Sequence, residues 1–217
     1  MVEIDVKPRK GNSMLFEIQE NTKKFSCYSL IEYLVNDHFK GKVIVSASLR
    51  ARSVVFLQML SDINSETPIL FCHAGTIYPE SLEYKQLIIN RLGFTDIREI
   101  QKKETETMPG VYDHIEWLMA NYNGSKGSVK TAMHLNKSLD GFDCWISAVY
   151  HKPVDGSQVN RIDVDGKVFR VNPLLDWTHK DVNKFMKAHD LPFHKLAPRE
   201  PVYPKHQEDH LIPFYGY

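Results

Sequence analysis

Apolar positions along this chain fall into two recurring patterns. Short runs of adjacent apolar, often β-branched residues alternate with longer stretches where apolar residues return every three or four positions. The first pattern suits a strand covered on both faces, the second an amphipathic helix. Strands are predicted over Lys42 to Ser46, Thr67 to Cys72, Asp96 to Ile100 and Asp143 to Val149. Helices are predicted between them. One carries Phe56, Leu60 and Ile63. Another opens at Pro79-Glu80, carries Tyr84, Ile88 and Leu92, and closes at Gly93 as a C-cap. Two more are expected over Val111 to Tyr122 and Ser128 to Leu139.

The flanks read less regularly. Around Leu15 to Ile18 the pattern suggests a short strand pair with a turn at Asn21-Thr22, then a helix from Leu30 to His38 capped by Ser29. Arg161 to Val171 reads as a hairpin turning at Asp165-Gly166. Thr178 with Asp181 resembles a capping box for a helix carrying Val182, Phe185 and Met186, stopped at Leu191-Pro192. Pro192, Pro198, Pro201, Pro204 and Pro213 make the last stretch a loop.

Strands alternating with helices predict an α/β fold: a mostly parallel sheet with helices on both faces. The organisation expected is an N-terminal strand/helix segment (1–40) packed on the core, an α/β domain (41–196) and a C-terminal tail (197–217). Ligands of such sheets bind beyond the carboxyl ends of the strands, where the strand order reverses. That rule singles out three loops, at Ser46 to Ser48, at His73 to Gly75 and near Tyr150-His151.

Charge narrows the choice of ligand. The 217 residues carry 27 basic and 27 acidic side chains. A balance of zero argues against a general nucleic-acid binder and against a polybasic membrane-surface protein. No apolar run suits a signal peptide or a membrane span, so cytoplasmic residence is the default expectation. The three cysteines, Cys27, Cys72 and Cys144, are far apart, so no iron–sulfur cluster or Cys-rich metal site is expected. His206 and His210 have metal-ligand spacing only if helical, in a proline-flanked segment that reads as a polar tail, so no metal site is assigned.

Three segments together resemble the phosphoadenylyl-sulfate (PAPS) reductase family, within the PP-loop, adenine nucleotide alpha hydrolase-like group. They are Val43 to Ser53, Pro68 to Ser81, and Phe169 to Thr178 continuing to Phe193, the last with its Asn172-Pro-Leu-Leu-Asp-Trp177 run. The likeness covers roughly residues 40 to 196. It implies an adenosine phosphosulfate or other small adenine nucleotide as ligand, magnesium accompanying the nucleotide, and, by analogy, a homodimer. It also implies a cysteine thiolate near the chain end that attacks sulfur.

The departures fall at that chemistry. Arg50 stands where the family's phosphate loop has glycine, and Arg52 follows it. Both arginines could grip phosphate bidentately, beside Ser46, Ser48 and Ser53 at a helix start. His73 and Ala74 replace an Asp-Thr pair, and only Gly75 is kept. Tyr150-His151 replaces an arginine pair, with Lys152 the nearest cation. No cysteine follows Cys144, so thiol-dependent reduction of the usual kind is doubtful. Three readings stay open. The chain is a nucleotide-binding protein without that thiol, a sulfonucleotide reductase with Cys72 or Cys144 as an atypical nucleophile, or a non-catalytic interaction protein. The aromatic tail (Tyr203, Phe214, Tyr215, Tyr217) could cover the cleft, pack on a partner or bury against the core.

Overall fold

The computed structural model describes residues 10–73, 78–101, 138–148, 160–165 and 168–195. Helix α1 spans Lys10–Thr22 and replaces the strand pair expected there. Leu15 and Ile18 face inward while Phe16, between them, is 66% exposed, so the period is helical and not alternating. Gln19 Nε2 donates to Ile162 O (2.8 Å), tying α1 to the far edge of the sheet.

The next helix, α2 (Cys27–Glu32), starts earlier than Ser29. Ser26 is its N-cap and accepts from the Ser29 N–H at 3.1 Å. The helix continues as a wider, π-helical turn over Tyr33–His38, where Phe39 N–H bonds Leu34 O.

Six strands follow: β1 (Val43–Ala47), β2 (Ile69–His73), β3 (Ile97–Gln101), β4 (Cys144–Ser147), β5 (Ile162–Asp165) and β6 (Val168–Val171). Their order in one sheet is β3-β2-β1-β4-β6-β5, parallel throughout except for the β5–β6 hairpin. Every residue of β1 and β4 is buried, as their unbroken apolar runs predicted.

Helix α3 (Ala51–Ile63) follows β1 and buries seven residues from Ser53 to Leu60. Helix α4 (Pro79–Leu92) opens with proline in its first turn and ends at Gly93, whose φ of 71° is the left-handed cap expected from sequence. Helix α5 (His179–Ala188) begins with the expected capping box. Thr178 N–H donates to Asp181 Oδ2 (2.8 Å), and Asp181 N–H donates to Thr178 Oγ1 (3.3 Å).

After α5 the chain lies back along α4. Arg91 Nη2 donates to His189 O (3.0 Å), and Tyr84 Oη donates to Pro192 O (2.6 Å). His194 Nε2 lies 3.0 Å from Ser81 Oγ, and Lys195 Nζ lies 3.7 Å from Glu83. From His189 to His194 the α4 partners fall from Arg91 to Ser81, so this strap runs antiparallel to α4, toward its amino end.

One apolar core lies against a single face of the sheet, the face of Val45, Phe71 and Ile146 and not that of Ile44, Leu70 and Trp145. Ile18, Leu30, Phe56, Phe71, Ile88, Phe169 and Met186 all belong to it. Among the described residues no helix is long and apolar enough to cross a membrane. The helices expected over Val111 to Tyr122 and Ser128 to Leu139 lie outside the described residues, save the last two positions of the second.

Candidate functional site

Strand β1 is the pivot of the sheet. Its neighbours β2 and β3 lie to one side, and β4 and β6 to the other. β1 and β4 are therefore the switch point of the sheet, where sheets of this kind hold a ligand crevice above the carboxyl ends of the strands. Ala47 and Ser147 end the two strands, and the crevice begins at Ser48.

Ser48, Leu49 and Arg50 link β1 to α3. The Ser48 N–H and its hydroxyl both reach Ser53 Oγ, at 3.2 and 3.0 Å, and Arg50 N–H reaches Ser48 Oγ at 3.4 Å. The loop is thus folded on the buried hydroxyl of Ser53 (0% exposed) in the first turn of α3. Arg50 is the N-cap residue, at φ −81° and ψ 151°. That is extended backbone open to any residue, so an arginine in place of glycine carries no conformational strain. Arg50 gives the helix no side-chain cap. The first-turn N–H groups of α3, which have no acceptor within the helix, face this end.

The remaining residues singled out in sequence are spread over three places. Ser46 lies one layer below the loop. It is 1% exposed, pairs with Leu70 and Ser147 across the sheet, and its Oγ accepts from Trp145 Nε1 at 2.9 Å. Arg52 turns away along the crevice wall. Its Nη1 donates to Leu174 O and its Nη2 to Trp177 O, both at 2.6 Å. His73 is the last residue of β2, in register with Gln101 of β3. Gly75, Tyr150, His151 and Lys152 lie outside the described residues, as do His206, His210 and the aromatic tail.

Of the two cysteines considered as nucleophiles, Cys144 stands at the amino end of β4, opposite Val43. It is fully buried, and burial together with Asp143 pushes its thiol pKa far up. This is the wrong end of the strand and the wrong protonation state for attack on a ligand at the crevice. Cys72 is the penultimate residue of β2, near its carboxyl end.

The turn after β6 carries the Asn172-Pro-Leu-Leu-Asp-Trp177 run. Asn172 is 2% exposed, and its Oδ1 is sealed with no hydrogen-bond partner. Leu175 N–H bonds Asn172 O (3.2 Å) and Trp177 N–H bonds Leu174 O (3.0 Å), which winds the segment tightly. Trp177 Nε1 donates to Cys27 Sγ (3.0 Å), whose thiol donates to Pro173 O (3.1 Å). Arg161 adds Nη1 to Phe25 O at 2.8 Å and Nη2 to Pro173 O at 3.4 Å. Beside the turn, His179 is held below the usual imidazole range, first by burial and then by the Arg52 charge. Asp181 is held low mainly by its hydrogen bonds from Thr178. The Asn-Pro-Leu-Leu-Asp-Trp run marked this turn in sequence, but nothing local showed what grips it.

Fold and site together define an open, mostly parallel α/β protein whose crevice lies at the switch point between β1 and β4. Residues 42–201 match the family model of the phosphoadenosine phosphosulfate reductase domain, and the chain belongs to that family. It is 25% identical over 196 residues to the phosphoadenosine 5′-phosphosulfate reductase of Aliivibrio fischeri (strain MJ11), covering 84% of this chain and 73% of that one. It is 22% identical over 187 residues to the adenosine 5′-phosphosulfate reductase of a Chelativorans species, covering 85% and 76%. In fold it is similar to the phosphate complex of Candida auris PAPS reductase, with a TM-score of 0.59 at 15% identity over 85% of this chain and 89% of that one. It also shares its fold with yeast FAD synthetase, with a TM-score of 0.51 at 14% identity over 85% and 69%.

Proposed function

We propose that this chain binds an adenine nucleotide or adenosine phosphosulfate in the crevice above β1 and β4. The ligand's phosphate lies against the Ser48–Ser53 loop, with Arg50 as its cation. His73, Gly75, Tyr150, His151 and Lys152 complete the wall. The observation that carries this reading is the start of α3. A 13-residue helix opens at the switch point with no side-chain cap, and such an end favours an anion through its N–H groups and its dipole. The family, with relatives named for two adenosine phosphosulfates, supports the ligand class. No metal site on the protein is proposed; magnesium would travel on the nucleotide's own phosphates.

Thiol-dependent reduction is left out of the proposal. Cys144 is sealed in the core, and Cys27 is held behind the Pro173–Trp177 turn. Titration calorimetry with ATP, AMP, adenosine 3′,5′-bisphosphate and adenylyl sulfate tests the binding. At least one should bind, and Arg50→Ala should weaken it. Silence from all four at millimolar concentration overturns the reading. Thioredoxin-dependent sulfite release that disappears in Cys72→Ser would instead establish a reductase with an atypical nucleophile.

A further inference from the structure

Arg52 is the second residue of α3, yet its guanidinium does not stay with that helix. Its two terminal nitrogens each donate at 2.6 Å to a carbonyl of one turn, Leu174 and Trp177. The planar fork suits two acceptors fixed in one turn, a match that an ammonium cannot reproduce. The far side of the turn is held independently, by Cys27 at the start of α2 and by Arg161, the residue before β5. The turn is therefore an anchored object, and Arg52 ties the first turn of α3 to it.

We infer that Arg52 is a positioning residue. It fixes the start of α3, and with it the Ser48–Arg50 loop, at a set distance from the Leu174–Trp177 turn. The first-turn N–H groups of α3 are then already in place to meet an incoming phosphate. The inference rests on the nucleotide reading above. It gives Arg52 a different role from the direct phosphate contact expected from sequence.

The two roles make opposite demands on the side chain. Direct contact needs the positive charge, which lysine keeps. Positioning needs the fork, which lysine lacks. A pre-set loop also gives up less conformational freedom when the ligand arrives.

The test compares wild type, Arg52→Lys and Arg52→Met in the full chain. Inorganic phosphate and AMP are the probes, titrated at several salt concentrations. Amide hydrogen exchange is followed in parallel without ligand. Both variants should lose affinity by about tenfold, the scale of a lost charge-assisted hydrogen bond. Lysine should not rescue, and the salt dependence of the remaining binding should match wild type, because no phosphate-neutralising charge has gone. Amides of residues 48–53 should exchange faster in both variants, while the β1 and β4 amides keep their protection.

Wild-type affinity in Arg52→Lys with loss in Arg52→Met, together with a shallower salt dependence in the latter, overturns the inference in favour of direct contact. Unchanged exchange over residues 48–53 overturns it as well. If wild type binds neither probe, the same comparison is made with whichever of the four nucleotides above it binds; silence from all of them overturns the nucleotide reading and the ligand-directed role together, an outcome distinct from failure of the inference alone.

Discussion

Replacing Ser46 by alanine removes the acceptor of the Trp145 indole N–H. Neither residue is more than 1% exposed, and the bond is 2.9 Å long, so bulk water cannot take over the vacated position. A buried donor that loses its acceptor costs about 1–3 kcal/mol. The void left by one hydroxyl oxygen adds little, since the cavity penalty scales with volume. At about 2 kcal/mol, a domain of this size should melt about 4–8 °C lower. The urea midpoint should fall with an unchanged slope, because the surface exposed on unfolding stays the same. Trp145→Phe removes the donor instead, and the double variant should cost about 1 kcal/mol less than the sum of the two singles. Nucleotide affinity, measured where Ser46→Ala is fully folded, should stay at the wild-type level, because Ser46 lies beneath the loop. A variant as stable as wild type that binds nucleotide more weakly would refute this reasoning and make Ser46 a ligand group.

Three further outcomes follow from the described contacts. Burial holds the His194 imidazole below its usual value of 6.5, with Glu80 pulling the other way. The unfolded chain therefore takes up this proton first on acidification. The stability tied to neutral His194 is complete above about pH 6.5 and is lost as pH falls from there toward the folded value. Urea midpoints taken between about pH 7.5 and about pH 5 should fall more for wild type than for His194→Gln; equal falls would refute the assignment. Lys85 is 8% exposed, with Nζ 2.6 Å from Glu99 and 5.9 Å from the Phe71 ring centre. Glu99→Gln should cost about 1–2 kcal/mol in urea unfolding, less than for a fully buried pair because Glu99 meets water, and a loss below about 0.5 kcal/mol would refute it. Finally, Cys144 should resist iodoacetamide in the native protein and label fully in urea, read by peptide mass spectrometry; native labelling at a free-thiol rate would contradict its place in β4.

The central strands were legible because burial on both faces leaves an unbroken apolar run, and β1 and β4 carry one each. The α5 start was legible for another reason: a capping box is local, with Thr178 and Asp181 only three residues apart. Helix α1 was misread because Leu15, Phe16 and Ile18 satisfy an alternating pattern almost as well as a helical one, and only the exposure of Phe16 separates them. The same contrast governs the site. The switch-point rule located the Ser48 loop, since it needs only the order of elements. It could not show where the side chains at that loop turn. Trp145 is 99 residues from Ser46, and Leu174 and Trp177 are 122 and 125 residues from Arg52. Such partners depend on which strands become neighbours, and no spacing in the chain encodes that.

The strap after α5 offers a place to observe the crevice from outside. It travels down α4 by way of Arg91, Tyr84 and Ser81, and its last described residue, Lys195, stands exposed near the helix's amino end. That end of α4 follows the carboxyl end of β2, so Lys195 sits on the crevice side of the sheet while contacting none of the Ser48–Ser53 loop residues through the bonds described. A fluorophore attached through Lys195→Cys would stand at that end of α4, beside Glu83, without replacing any residue of the loop. Its emission would then act as a gauge of occupancy and would let many candidate ligands be ranked before any reaction is known.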